Sequence, residues 1–199
     1  MPQSHDVSGQ EIACQQVLME DSSVFSVQWM TLPCDLAVGV TPDRLLQRYL
    51  ASIRRFTLTL IRPQVTEGGI EFRLAGTGAS LISFTGPVWS GAEREESLSL
   101  AICGGLLVQP DQCDRGELSF SVGVEGERVR LALRLSDYCP LLLGSCSPSP
   151  GRKWLYRFTQ AYLHRVVTVR FLARIYAELA GAKGCVRVVR VRVREGEEI

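Results

Sequence analysis

A chain of 199 residues with 46% hydrophobic and 22% charged side chains is long enough to bury a sizeable core without disulfides or metal. Its net charge of +1 excludes a strong overall attraction to nucleic acid or acidic membrane, although residues 152–199 carry a net of +7 and the first 151 a net of −6. No run approaches the ~18 apolar residues of a membrane span, and the polar opening MPQSHDVSGQEIACQQ lacks a signal-peptide pattern, so the expected compartment is the cytoplasm.

Seven cysteines fit that compartment. Their number is odd and no CxxC pair occurs, which argues against a disulfide framework or a zinc ribbon. With only His5 and His164 as imidazoles, neither a metal site nor a cofactor is expected.

In chain order, residues 1–20 are expected to be a flexible tail and 21–199 a single domain. Residues 24–30 alternate as a strand with Phe25, Val27 and Trp29 on one face. Thr41-Pro42-Asp43 then supplies an N-cap and a first-turn proline, and Leu45, Leu46, Tyr49, Leu50 and Ile53 mark the inner face of a helix over 43–55. Beyond it the period falls to two. Phe56, Leu58 and Leu60 pair through Glu67-Gly68-Gly69 with Ile70, Phe72 and Leu74 as a hairpin. Strands over 79–88 and from Leu98 to Ile102 follow, separated by turns at 76–78 and 91–96. The last hairpin runs Leu118, Phe120, Val122, Val124, turns at Glu125-Gly126-Glu127, and returns through Val129, Leu131, Leu133, Leu135. Apolar-in, polar-out alternation on both arms belongs to an antiparallel sheet with one wet face. Leu141-Leu142-Leu143 reads as the buried end of a strand, or else as an exposed apolar lip.

Residues 152–180 form one long helix, entered after Ser147-Pro148-Ser149-Pro150-Gly151 and stopped at Gly181. Leu155, Phe158, Tyr162, Val166, Val169, Ala173, Tyr176 and Ala180 mark its inner stripe, which Val167, Phe171 and Ile175 widen. Residues 185–194 read as a final strand with Arg187, Arg190, Arg192 and Arg194, whose alternation shifts phase at Val188-Val189 as a bulge would. Those arginines could grip phosphates, but they lack the interleaved aromatics of single-strand readers and equally guard an edge strand, so nucleic-acid binding is not the expectation. The fold class is α+β: a curved antiparallel sheet of about seven strands gripping the long C-terminal helix, with a short N-terminal helix and one extra terminal strand.

This order of elements resembles the START-like superfamily, also called SRPBCC or the birch-pollen-allergen helix-grip fold. The resemblance spans roughly residues 24–180, and its most telling piece is KWLYRFTQAYLHRVVTVRFLARIYAEL, similar to the closing helix of several bacterial members. It is a resemblance of layout, with no diagnostic catalytic motif. It implies a cavity between sheet and long helix, and therefore a small hydrophobic, lipid-like or polycyclic ligand. Stable membrane insertion is not expected, and a homo-oligomer remains open.

Trp29, Phe72, Phe84, Trp89, Phe120, Phe158 and Tyr162 fall on runs expected to face that interior, where they either fill a solid core or line a pocket. His164 and Tyr138 join them as binding candidates. His164, on the flank of the helix stripe, is either a boundary histidine or a proton donor at the cavity rim. Glu71, Glu117 and Asp137 complete the candidate acids and bases, the two glutamates on polar positions that normally face solvent. Gly76-Thr77-Gly78-Ala79-Ser80 lacks the third glycine and following helix of a dinucleotide site, and is read as a turn. Three functions follow: a binder of a small hydrophobic ligand, a cyclase- or dehydratase-type enzyme on the same fold, or a solid-core partner-binding module.

Overall fold

The computed structural model describes residues 9–112, 114–144, 148–181 and 185–199. Helix α1 (Pro42–Phe56) starts as its sequence dictates: the Thr41 hydroxyl accepts from the Arg44 N–H at 3.3 Å, Pro42 occupies the first turn, and Leu45, Leu46, Tyr49 and Ile53 are buried. The helix ends later than expected. It absorbs Phe56, and Leu58 and Thr59 take left-handed conformations (φ 50° and 66°), so the next strand is β3 (Ile61–Thr66) rather than 56–60. Thr57 enforces this end, donating to the Ile53 carbonyl at 2.9 Å and accepting from the Ile61 N–H at 3.1 Å.

The strands in chain order are β1 (Gln10–Leu18), β2 (Val24–Pro33), β3, β4 (Gly69–Leu74), β5 (Ser80–Thr85), β6 (Val88–Ala92), β7 (Glu95–Gly104), β8 (Glu117–Glu125), β9 (Arg128–Tyr138), β10 (Val186–Arg190) and β11 (Glu197–Glu198). Among the described residues all eleven join one mixed sheet in the order β10-β1-β2-β9-β8-β7-β5-β4-β3, with β6 on β7 and β11 on β1. The path from β2 to β3 is a seven-strand antiparallel sheet. The surplus is β1, β6, β10 and β11. Gly69 shows how tightly the strands pack: with φ 144°, a side chain there would run into the backbone of Phe84 and Thr85 on β5.

Strand β1 corrects the expected tail. Residues 10–18 pair antiparallel with β2 on one side and parallel with β10 on the other, and Ile12 and Leu18 are core residues. The pattern QEIACQQVL is too polar to announce this, because both faces carry glutamines that find partners only in the fold. Strand β10 keeps an unbroken register against β1, without the expected bulge at Val188-Val189, and ends at Arg190. Beyond it, the Gln15 Oε1 accepts from the Val193 and Arg194 N–H groups at 2.8 and 2.9 Å.

The long C-terminal helix is also corrected. It comprises α2 (Pro150–Tyr156), a π-turn (Arg157–Ala161) and α3 (Tyr162–Ala180), closed by Gly181 in the left-handed region. A π-turn adds one residue to the helical repeat and rotates what precedes it by about 100°. Before it, Tyr156 is buried and Leu155 exposed; after it, the buried line of α3 is Val167, Thr168, Phe171, Leu172 and Ile175, so the expected stripe is out of phase and Phe158 and Tyr162 are exposed. Leu143 is fully buried and Leu141 exposed, so the leucine triplet is divided between both readings. Among the described residues no helix is long and apolar enough to cross a membrane.

Candidate functional site between sheet and closing helix

Helices α1 and α3 meet over the concave face of the sheet, and between them lies an apolar cavity of about 140 Å³. Its walls come from α1 (Tyr49, Ile53), β4 (Phe72), β5 (Leu81, Ile82), β9 (Leu135, Tyr138) and the closing helix (Tyr156, Gln160, His164, Val167). Tyr49 is fixed from two sides, its ring edge-on to Phe120 and to Phe171 with centroids 5.4 Å apart in each case. Phe72 is held by Phe84 behind it at 5.1 Å. Tyr138 donates its hydroxyl to the Leu107 carbonyl at 2.8 Å.

The electrostatics of the walls are those of a dry site. Desolvation pushes the Tyr49 phenol up to about 12, and burial raises Tyr138 and Tyr156 still further, so all three remain neutral hydroxyls. Desolvation acts on His164 in the opposite sense, lowering its imidazole to about 4. His164 is thus an uncharged donor–acceptor near neutral pH, and no carboxylate lines the cavity beside it. One polar atom stands out: the Gln160 Oε1 is buried without a hydrogen-bond partner among the described residues.

Of the nine binding candidates, Phe72, Tyr138 and His164 meet at this cavity. Phe84 and Phe120 are buried one layer behind, as supports for Phe72 and Tyr49. The other four do not face the interior. Trp89 lies on the peripheral strand β6 and is 55% exposed. Phe158 and Tyr162 are exposed, Phe158 lying against exposed Trp154 with ring centroids 4.9 Å apart. Trp29 sits on the opposite face of the sheet beneath the Arg130 guanidinium, 4.4 Å from the ring centroid. Its whole face was misjudged: Val17, Phe25 and Val27 form a separate cluster there, with Arg194 over Phe25 at 4.5 Å, whereas Val24, Ser26, Gln28, Met30 and Leu32 face the helix. Hydrophobic alternation identified an apolar face of β2, but both faces are covered and the C-terminal segment took the greasier one.

Tyr49, Tyr156 and Gln160 were missed as lining residues. Tyr49 was visible as an inward helix position; Tyr156 and Gln160 lie off the expected stripe of the closing helix. Glu71 pairs with Arg73 at 2.7 Å and Glu117 with Arg134 at 3.7 Å, and neither they nor Asp137 line the cavity. Among the described residues no cluster of three or more His, Cys, Asp or Glu side chains is placed to hold a metal; His5, Cys113 and Cys146 lie outside the described residues.

The chain thus has a START-like, helix-grip fold: an antiparallel sheet path of seven strands, a short helix after the first of them, and a long C-terminal helix over its concave face. Several solved structures align along most of the chain. The crystal structure of CalU16 from Micromonospora echinospora shares 14% identity over 87% of this chain and 95% of its own, with a TM-score of 0.31. Ara h 8.0201 shares 9% identity over 79% and 99%, at 0.36. Human STARD10 shares 8% over 80% and 66%, at 0.41. Likeness at this level carries nothing about ligand or activity. No family model matches the sequence, and no curated protein does.

Proposed function

We propose that the protein binds a small hydrophobic molecule in the cavity between α3 and the sheet. The observation that carries this reading is a mostly apolar pocket with one neutral imidazole, His164, in its lining.

Size bounds the occupant. A cavity near 150 Å³ holds about one benzene ring, so about 140 Å³ takes a single ring or a short chain. A polycyclic or diacyl ligand would require the α2 and π-turn segment to swing away from the sheet. The enzyme reading has less support, because a lone imidazole lowered to about 4 is a weak base and no carboxylate stands beside it.

Native mass spectrometry of the full chain purified from cells tests the proposal. A co-purifying adduct, absent from Val167→Trp, is expected; Trp at 167 fills the cavity from its helix wall. An adduct that survives the substitution, or a wild-type chain that stays empty and takes up neither phenol nor indole, overturns the reading.

A further inference from the structure

The opposite flank of the closing helix carries a second site of different chemistry. Between the π-turn and the edge of the sheet lies a cavity of about 210 Å³, with Arg157, Phe158, Tyr162 and Arg165 on the helix side and Val188 and Arg190 on β10. Its floor is β1, where the Cys14 thiol is kept neutral because burial raises its pKa. Gln16 fixes the distance between floor and helix, donating from Nε2 to the Ala161 carbonyl at 3.2 Å.

The charges here are unbalanced in a specific way. One acid, Glu198, lines the groove itself and pairs with Arg190 at 3.7 Å, while Glu197 pairs with Lys153 at 2.7 Å. Among the described residues Arg157 and Arg165 have no carboxylate partner, and Arg165 lies only over the Tyr162 ring, 6.0 Å from its centroid. Phe158 and Tyr162, 59% and 56% exposed, offer ring faces beside those cations. Two free guanidiniums next to two exposed rings, in a concavity of this volume, meet the needs of one kind of guest.

We propose that this groove binds a small organic anion: a carboxylate, sulfonate or phosphate monoester on Arg157 and Arg165, whose single- or double-ring apolar body lies against Phe158, Tyr162 and Val188. Guanidinium forks suit planar oxyanions and stack on aromatic faces. Volume limits the body, since about 210 Å³ exceeds a single-ring cavity by less than half. The site is separate from the apolar cavity and stands or falls independently of it.

Titration of the full chain with 2-naphthoate, followed by amide chemical shifts, tests this. Saturable shifts are expected at residues 14–16, 157–165 and 188–191, with binding weakened about tenfold or more in Arg157→Ala/Arg165→Ala, and several-fold between 50 and 300 mM salt on the order expected for a partly exposed ion pair. Val167→Trp, which fills the other cavity, should leave this binding unchanged. Three results overturn the proposal: equal binding of neutral 2-naphthalenemethanol, equal binding of inorganic phosphate alone, or naphthoate affinity untouched by the double substitution in a variant whose melting temperature is preserved.

Discussion

The two flanks of the closing helix are built from one stretch of sequence and turn out chemically opposite. On the α1 side, Tyr156, Gln160, His164 and Val167 close a dry cavity in which burial holds three tyrosines and a histidine neutral. On the β10 side, Arg157, Phe158, Tyr162 and Arg165 edge a groove in which three arginines face one glutamate, Glu198. The residues interleave along the chain, so one position along the helix is enough to move a side chain from one flank to the other.

The contrast can be broken most severely at the residue that seats the helix. Phe171→Ala empties a fully buried position edge-on to Tyr49 and should cost about 3–5 kcal/mol, read from chemical denaturation, with the apolar cavity enlarged. If the loss is below 1 kcal/mol, α3 is not held by this face. A smaller effect comes from acid. The folded His164 pKa of about 4 lies below the unfolded value of about 6.5, so as pH falls the unfolded chain takes up the proton first. Stability present above pH 6.5 should decline through pH 4, on the order of 1–2 kcal/mol after allowance for partial exposure, and His164→Gln should flatten that slope. An unchanged slope would place the imidazole in solvent.

Smaller again is Gln28→Leu. Gln28 is fully buried beneath Cys14, donating to the Ser26 Oγ at 2.8 Å, and its Oε1 has no partner among the described residues. Replacing it should be neutral or stabilising by about 1 kcal/mol in thermal unfolding; a large loss would mean a bound water or polar guest completes the amide. Least of all, Trp154→Ser on the open side should change stability by under about 0.5 kcal/mol, since 62% of Trp154 is exposed. It should nonetheless remove the fluorescence that naphthoate in the adjacent groove would perturb.

Several things were legible in the residues alone. Thr41-Pro42 marked the start of α1, the 118–135 alternation marked the β8–β9 hairpin, and Gly181 marked the helix end. Each is a local signal, in which backbone propensity or a period of two or 3.6 acts over a few neighbouring positions. Phe72 faces the interior as its alternation predicts, and Tyr138 and His164, read as lying by the helix-entry loop and on the flank of the stripe, also line the cavity. The tertiary structure alone decided the rest. Gln10–Leu18 became a strand because β2 and β10 offered it partners on both sides; its glutamines forecast nothing of the kind. Trp29 went to the far face of β2, where Arg130 of β9 covers it and Arg194, more than 160 residues from β2, covers Phe25. Phe158 and Tyr162 turned outward because α3 seats on the sheet and α1 through Val167, Thr168, Phe171, Leu172 and Ile175, and hydrophobic spacing along one segment holds no record of a surface contributed by another.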